Sequence, residues 1–421
     1  MAGKKIRLSR RKFLALTGKA GAVLSIAPID LIPGSGTGSE GYKSNNDIFR
    51  KLLERLRESL LESLTRSKIV FGSSLKLHSP SVSATYRGIW PDDFLYPMMV
   101  QPDLYNKEEL TAIARFLTES IVDLPCFPDR VEADGMPVMQ PGSLNSPHAI
   151  HMPLHLPAAW IRLIDHLEKW GAEIPRKEDW ARIFERSMEL VPFSCGLAYI
   201  DPQHPGVDFG FHDPEAITGF VLMSSMILHF GLTRAARFFD NCIDKDVTTR
   251  WTRLAKGIPE NLYRLFDKEE GAFLAGSKDC RQVNVWGNGL AYWMVEPAEQ
   301  KSIVDWYRKH RDDIFLKGFT RQIAEKDGWQ RQLVNVPLGS YTNGGFWSIG
   351  TGWVLPAIAH QDIEFAVEIA KELVANVEKL AFPEWIDSKG AGGAMGFLAG
   401  IAGPMMGLTA IVEQRPFSDY F

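Results

Sequence analysis

Short segments that combine carboxylates with aromatic residues and glycine recur along this chain. Three of them, "IWPDDF", "GFHDPEAITG" and "PEWID", contain the carboxylates best placed for proton transfer: Asp92, Asp93, Asp213, Glu215, Glu384 and Asp387. Two carboxyl groups, one protonated and one ionised, can act together as general acid and general base. A tryptophan beside them offers a flat apolar face for a sugar ring. The combination favours chemistry on a carbohydrate.

Asp213 is the candidate for the general acid. It lies between His212 and Pro214 in an aromatic segment, where partial loss of water would raise its pKa, as an acid requires. Aspartate directly before proline is also a capping pattern, so Asp213 could instead cap a helix that begins at Pro214. The sequence leaves both interpretations open.

Glu384 is the candidate for the general base, since it stands between Pro383 and Trp385 after a long predicted helix. A glutamate in such a loop could equally be a surface residue. Cleavage of a glycosidic bond needs two carboxyl groups, about 6.5–9.5 Å apart for inversion and about 5–5.5 Å apart for retention. We expect inversion. Asp93 is predicted to bind sugar hydroxyls, and an ion pair with Arg87 is the alternative.

The stretch "GSYTNGGFWSIGTGW" (339–353) contains five glycines and interrupts a helical region. Asn343 is predicted to cap a helix that begins at Gly344, with Tyr341 and Trp347 offering a hydroxyl and a stacking face. Further stacking faces are expected from Trp90, Trp286 and Trp353. The alternative is that the glycines allow close helix packing and the tryptophans lie in the core.

Three histidines, His148, His151 and His155, have the spacing of one helical face. Prolines interrupt any helix there, and no acid or cysteine nearby completes a ligand set. We therefore expect no metal and no cofactor, and we interpret these histidines as loop residues or substrate contacts.

The charge and the N-terminus limit the partners and the location of the protein. The formal net charge of -4 over 421 residues provides no basic surface for nucleic acid. Residues 9–14, "SRRKFL", followed by a short apolar run, resemble a twin-arginine export signal. The run is too short for a stable membrane anchor. We expect residues 1–38 to be a signal and linker, residues 39–421 to be one catalytic domain, and the location to be periplasmic or secreted.

Apolar spacing predicts about a dozen helices after residue 45, separated by loops rich in glycine and proline. They include 156–170, 178–191, 215–230, 297–311, 344–360, 362–380 and 394–413. The only convincing strand lies at 66–72. Helices of this kind suggest helical hairpins stacked into a ring or solenoid, in which the loops of one end converge.

Five segments, in this order, resemble those of the six-hairpin (α/α)6-barrel glycosidases, the superfamily of glucoamylases, trehalases and processing α-glucosidases, and particularly its exported bacterial members. They are "YRGIWPDDFLY" (86–96), "GVDFGFHDPEAITG" (206–219), "RQVNVWGNGLAYW" (281–293), "GSYTNGGFWSIGTGW" (339–353) and "FPEWIDSKGAGGAMGF" (382–397). The resemblance implies an all-α (α/α)6 barrel with little β structure that hydrolyses an oligosaccharide. One departure is Asp92, which stands where an arginine is usual. The histidine-rich stretch 146–157 is another.

The predicted catalytic residues are Asp213 and Glu384. The predicted substrate-binding residues are Arg87, Trp90, Asp92, Asp93, His212, Trp286, Asn288, Tyr341, Asn343, Trp347 and Trp385. Two other functions remain open. A polysaccharide lyase would use Tyr341 or His212 as a neutral base and Arg87 or Arg281 to neutralise a substrate carboxylate. A glycan-binding protein would hold sugar unchanged.

Overall fold

The computed structural model describes residues 39–83, 85–143, 146–149, 152–415 and 420, which belong to one compact unit. The predicted export signal lies outside the described residues, and the boundary at residue 38 stays a prediction. Within the described part, no helix has the length and apolar character needed to cross a membrane.

Thirteen helices are formed by the described residues. In chain order they are α1 (Ser39–Ser67), α2 (Pro91–Val100), α3 (Lys107–Ile121), α4 (Leu156–Lys169), α5 (Lys177–Glu189), α6 (Leu222–Phe238), α7 (Lys245–Asn261), α8 (Val285–Ala291), α9 (Pro297–Lys309), α10 (Arg311–Ile314), α11 (Ser348–Gln361), α12 (Ile363–Val377) and α13 (Leu398–Glu413).

Six of these helices form a closed inner ring. Each packs on the next in the order α2, α4, α6, α8, α11, α13, and α13 packs back on α2. The helices α1, α3, α5, α7, α9 and α12 alternate with them along the chain and form the outer layer. The predicted (α/α)6 barrel of six helical hairpins is therefore confirmed.

The two layers differ in their apolar pattern. In α11 every residue from Ser348 to Ile358 is buried, as expected for a helix enclosed on all sides. In α5 one stripe is buried, which includes Trp180, Ile183 and Phe184, and the other face is charged. In these two helices, burial on all sides marks the inner position and amphipathicity marks the outer one.

Glycine allows the closest contact in the ring, between α11 and α13. A Cβ atom at Gly352 would lie 2.0 Å from the carbonyl oxygen of Gly403. A Cβ atom at Gly350 would lie 2.0 Å from the indole nitrogen of Trp286. These two glycines therefore serve helix packing, which was one of the two interpretations of the 339–353 stretch.

Sixteen strands of two to five residues lie in the described connections. They are β1 (Lys68–Phe71), β2 (Leu75–His78), β3 (Gly88–Ile89), β4 (Arg130–Glu132), β5 (Pro137–Val138), β6 (Gly142–Ser143), β7 (Ser146–Pro147), β8 (Phe193–Ser194), β9 (Leu197–Ile200), β10 (Gly219–Phe220), β11 (Phe266–Asp267), β12 (Ala272–Phe273), β13 (Phe315–Leu316), β14 (Phe319–Thr320), β15 (Pro383–Ile386) and β16 (Ala391–Met395). All pair antiparallel in sheets of two or three strands. The strand predicted at 66–72 is β1.

Three predicted helix starts are wrong. The helix predicted at 394 begins at Leu398, because residues 391–395 form β16 and Phe397 bridges Ser81. The helix predicted at 215 begins at Leu222, because residues 215–220 form bridges with Gln332 and with β9 instead. The helix predicted at 344 begins at Ser348, because Phe346 and Trp347 pair with Ile386 and Thr320. Neither Asp213 nor Asn343 therefore caps a helix.

Candidate active site

The predicted acidic residues lie where the inner helices begin. Because inner and outer helices alternate in antiparallel hairpins, all six inner helices start at the same end of the ring. Asp93 lies in the first turn of α2, Asp213 lies in the loop before α6, and Glu384 lies on β15 before α13. Tyr341 lies in the loop before α11. The electrostatic coupling among these four residues shows that the fold brings them together.

Glu384 is buried and held on both carboxylate oxygens. The hydroxyl of Tyr86 donates to Oε1 at 2.8 Å, and the backbone N–H of Ala394 on β16 donates to Oε2 at 2.8 Å. Burial raises the pKa of Glu384 to about 7, with a further contribution from Asp213, against the lowering effect of the two donors. A carboxyl group with this pKa exchanges protons near neutrality, as a general base requires.

The β15–β16 hairpin needs glycine to hold Glu384 in this position. A Cβ atom at Gly393 would lie 2.4 Å from Oε2 of Glu384. The backbone of Gly393 is left-handed, with φ of +69°, which other residues rarely adopt. Asp387 accepts from the N–H groups of Lys389 and Gly390 and so closes the turn of this hairpin.

Asp213 follows a short 3-10 turn, Gly210–His212, and is almost fully buried. Its Oδ2 lies 2.8 Å from Nδ1 of His148, and the Tyr341 side chain lies beside the same carboxyl. Its Oδ1 has no hydrogen-bond partner among the described residues. One oxygen is thus paired with a base, and the other is shielded from solvent without a hydrogen-bond partner among the described residues.

Asp93 is partly accessible and forms no ion pair with another described residue. Burial, and then the charges of Asp92 and Glu384, raise its pKa well above the usual range. Its Oδ1 lacks a hydrogen-bond partner among the described residues. Arg87, the alternative partner from the sequence, is exposed.

Asp92, predicted as a sugar contact, has protein partners on both oxygens. Nη1 of Arg162 donates to Oδ1 at 3.0 Å, and Nε2 of His155 lies 3.1 Å from Oδ2. Arg162 also donates to the backbone oxygen of Tyr420 at 2.7 Å. Burial alone would raise the pKa of Asp92, but His155 and Arg162 outweigh it and lower the pKa. Asp92 is therefore an anchor between α2 and α4.

Several other predicted contacts are wholly buried and serve the framework. His212 stacks on Trp286, with ring centroids 6.1 Å apart, and packs edge-on against Trp329. The amide of Asn288 is bonded to backbone atoms of Phe273 and Asn284. Trp286, Trp347 and Trp353 are also fully buried, so the core interpretation of these rings holds.

The amide of Asn343 organises the loop before α11. Its Oδ1 accepts from the backbone N–H of Trp329 at 2.8 Å, and its Nδ2 donates to the carbonyl oxygen of Val336 at 2.8 Å. Tyr341 in the same loop has a left-handed backbone, with φ of +44°. Its ring packs on Trp347 at 5.2 Å between centroids. This packing supports the hydroxyl beside Asp213.

Among the aromatic residues singled out for the candidate site, Tyr86, Trp90, Tyr341 and Trp385 are partly accessible. Tyr86 meets Trp90 edge-on, at 5.3 Å between centroids. The guanidinium of Arg130 lies over the Trp90 ring at 5.0 Å. These four rings, rather than the buried tryptophans, are available for a sugar to stack on.

Sequence reasoning missed Tyr86 as a partner of Glu384 and His148 as a partner of Asp213. Both stood in segments already singled out, but no local pattern links Tyr86 to a residue almost three hundred positions away. Glu215 was also undervalued. It is fully buried, accepts from Thr342 at 2.6 Å, and burial raises its pKa to about 8.

The described residues contain no group of three or more His, Cys, Asp or Glu side chains arranged to hold a metal ion. His151 lies outside the described residues, and His155 is committed to Asp92. The carboxyl groups beside the partly accessible aromatic rings can transfer protons.

No family model matches the chain, and no curated protein matches it. Its fold is similar to solved structures of glycosidases. A GH63 mannosylglycerate hydrolase from Thermus thermophilus, in complex with glucose, matches with a TM-score of 0.55 and 12% identity over 86% of this chain and 100% of the other.

Two further solved structures have a similar fold at similarly low sequence identity. A wild-type glycosidase gives a TM-score of 0.54 at 13% identity, covering 90% of this chain and 100% of the other. A rhamnosidase from Klebsiella oxytoca with rhamnose bound gives 0.52 at 11% identity, covering 79% and 59%. Together with the closed ring of six hairpins, these similarities show that the chain has the (α/α)6-barrel fold of the six-hairpin glycosidases.

Proposed function

We propose that the protein is a glycoside hydrolase that cleaves an oligosaccharide, with Asp213 as general acid and Glu384 as general base. The observation that carries this proposal is the pair of buried carboxyl groups, Asp213 and Glu384, at the start of the inner helices beside partly accessible aromatic rings. The names of the structures with the same fold, a mannosylglycerate hydrolase, a rhamnosidase and a glycosidase, support it.

In the proposed reaction, Asp213 gives its proton to the glycosidic oxygen as the bond to the anomeric carbon breaks. Glu384 takes a proton from a water molecule whose oxygen attacks the anomeric carbon from the opposite face, so the configuration inverts. Tyr86 and the Ala394 N–H direct their hydrogens at Glu384 and favour its ionised form. Asp93, whose side chain is partly accessible, binds sugar hydroxyls.

The proposal is tested by incubating residues 39–421 with a panel of plant and bacterial oligosaccharides, alongside Asp213→Asn and Glu384→Gln. We expect two products whose combined mass exceeds that of the substrate by one water. For each variant we expect a loss of about 10²–10⁴-fold in kcat. The first-formed anomer, observed by NMR, reports inversion. Binding of sugar without turnover by the wild-type protein would indicate a glycan-binding protein instead.

The residues that a lyase would use as its base are poorly suited to that role. His212 is enclosed by aromatic rings, and burial raises the pKa of Tyr341 well above the usual range, so neither is a ready base. Arg87 and Arg281 are exposed. An ultraviolet-absorbing unsaturated product would nevertheless identify a lyase in the same assay.

We also propose that the chain is exported by the twin-arginine machinery to the periplasm or beyond. The support is the pair Arg10–Arg11 followed by Phe13 and Leu14 in the sequence. Oligosaccharides are the partners expected there.

A further inference from the structure

His148 is the ionisable side chain that pairs with the proposed general acid. Its Nδ1 lies 2.8 Å from Oδ2 of Asp213, and both side chains are largely removed from solvent. His148 follows the β6–β7 hairpin, and its backbone N–H donates to the carbonyl oxygen of Pro141 at 2.9 Å. The imidazole is therefore presented to Asp213 from a part of the chain separate from the loop that carries the acid.

The two oxygens of Asp213 have different surroundings. Oδ2 is engaged by the imidazole, whereas Oδ1 lacks a hydrogen-bond partner among the described residues. A carboxyl group with one oxygen engaged by an imidazole cannot turn freely. The contact with His148 thus fixes the orientation of the Asp213 carboxyl.

We propose that His148 is the positioning residue of the general acid, which fixes the orientation of the Asp213 carboxyl and stabilises the carboxylate formed when its proton leaves. This inference deepens the proposed function and rests on it. When Asp213 transfers its proton to the leaving oxygen, it becomes an anion 2.8 Å from the imidazole. The attraction is thus greatest after proton transfer, so it lowers the barrier rather than only binding the substrate.

The groups around the pair differ in whether they favour the carboxylate form of Asp213. The ionisable groups that interact with Asp213 are His148, Tyr86, Tyr341, Asp129, Glu215 and Glu384. The ionised carboxyl groups among them oppose a new negative charge on Asp213, whereas His148 and the Tyr341 hydroxyl favour it. The contact with Asp213, followed by its charge and that of Asp129, outweighs burial and raises the pKa of His148.

The decisive comparison uses two substrates with the same sugar. We expect His148→Phe to lower kcat about 10–100-fold on a glycoside whose leaving group needs a proton, with KM changed less than about twofold. On the glycosyl fluoride of that sugar, the fluoride ion leaves without a proton from a general acid. There we expect His148→Phe to lower kcat by less than about threefold. His148→Gln, whose amide can also donate, should recover part of the loss. If His148→Phe lowered kcat equally on both substrates, or on neither, the proposal would be overturned.

A second measurement does not depend on activity. The imidazole of His148, followed by NMR through a pH titration, should titrate at lower pH in Asp213→Asn than in the wild-type protein, because the pairing charge is gone. An unchanged titration would overturn the pairing. His204→Phe is the matched control, because it removes an exposed histidine–aspartate pair with Asp201 and should alter neither measurement. If the wild-type protein cleaves no glycoside, the proposed function fails, while the titration still reports on the pair.

Discussion

Glu384 shows how two opposing effects set the protonation of one carboxyl group. Burial and the charge of Asp213 favour the neutral form, while the Tyr86 hydroxyl and the Ala394 N–H favour the ionised form. The balance gives a pKa of about 7. A base must be ionised to accept a proton, so activity should fall as the pH is lowered through about 7.

Tyr86→Phe tests this balance at the level of a single hydrogen bond. Removing the hydroxyl removes a donor that lowers the pKa of Glu384, so the acidic limb of kcat/KM against pH should move to higher pH. Tyr263→Phe, at a tyrosine that is 63% exposed, should leave the limb in place. A limb that stays in place in Tyr86→Phe, or that moves to lower pH, would contradict the assignment of Glu384 as the base.

Among the elements, the ring depends most on the contact between α11 and α13. Gly352 on α11 faces Gly403 and Gly407 on α13, and each lacks the side chain that would separate the backbones. These glycines are unfavourable for an isolated helix. The energy gained by close packing in the ring offsets that cost.

Gly352→Ala should therefore destabilise the protein, because the added methyl group would meet the carbonyl of Gly403 at 2.0 Å. We expect the free energy of unfolding to fall by about 1–3 kcal/mol, measured by urea denaturation. Gly206→Ala is the matched control, since a Cβ atom there meets nothing within 4 Å. Equal stability of the Gly352→Ala and wild-type proteins would show that α11 and α13 are farther apart than described here.

The sequence predicted helices better than it predicted the connections. Those at 156–170 and 297–311 end within two residues of α4 and α9, because apolar spacing and a proline in the first turn mark them locally. The starts of α6, α11 and α13 were placed too early. There the chain forms bridges to loops distant in sequence, which no local pattern contains.

For the whole molecule, the resemblance of five ordered segments was enough to predict the ring and the general location of the acidic residues. It was not enough to separate residues that face a ligand from residues that hold the framework. Asp92 and Asp93 are adjacent, yet one pairs with Arg162 and the other keeps an unpartnered oxygen. That difference depends on which face of α2 packs against α4, and it appears only once the ring is closed.

The proposed export route can also be tested on the whole chain. Replacing Arg10 and Arg11 together by lysine should retain the protein in the cytoplasm of a bacterial host, because the machinery reads the arginine pair. Cell fractionation followed by immunoblotting measures the distribution. A substitution of Lys19 by glutamine serves as the control and should leave export intact. Equal export of the double variant and the wild type would contradict the proposed route.

The most direct test of the central claim follows the oxygen of water. A single turnover in water enriched in ¹⁸O, with an oligosaccharide cleaved by the wild-type protein, should place the label on the anomeric carbon of the released sugar. Glu384→Gln should do so at least about 100-fold more slowly. Label on the leaving fragment, an unsaturated product without label, or an undiminished rate in Glu384→Gln would each contradict hydrolysis by Asp213 and Glu384.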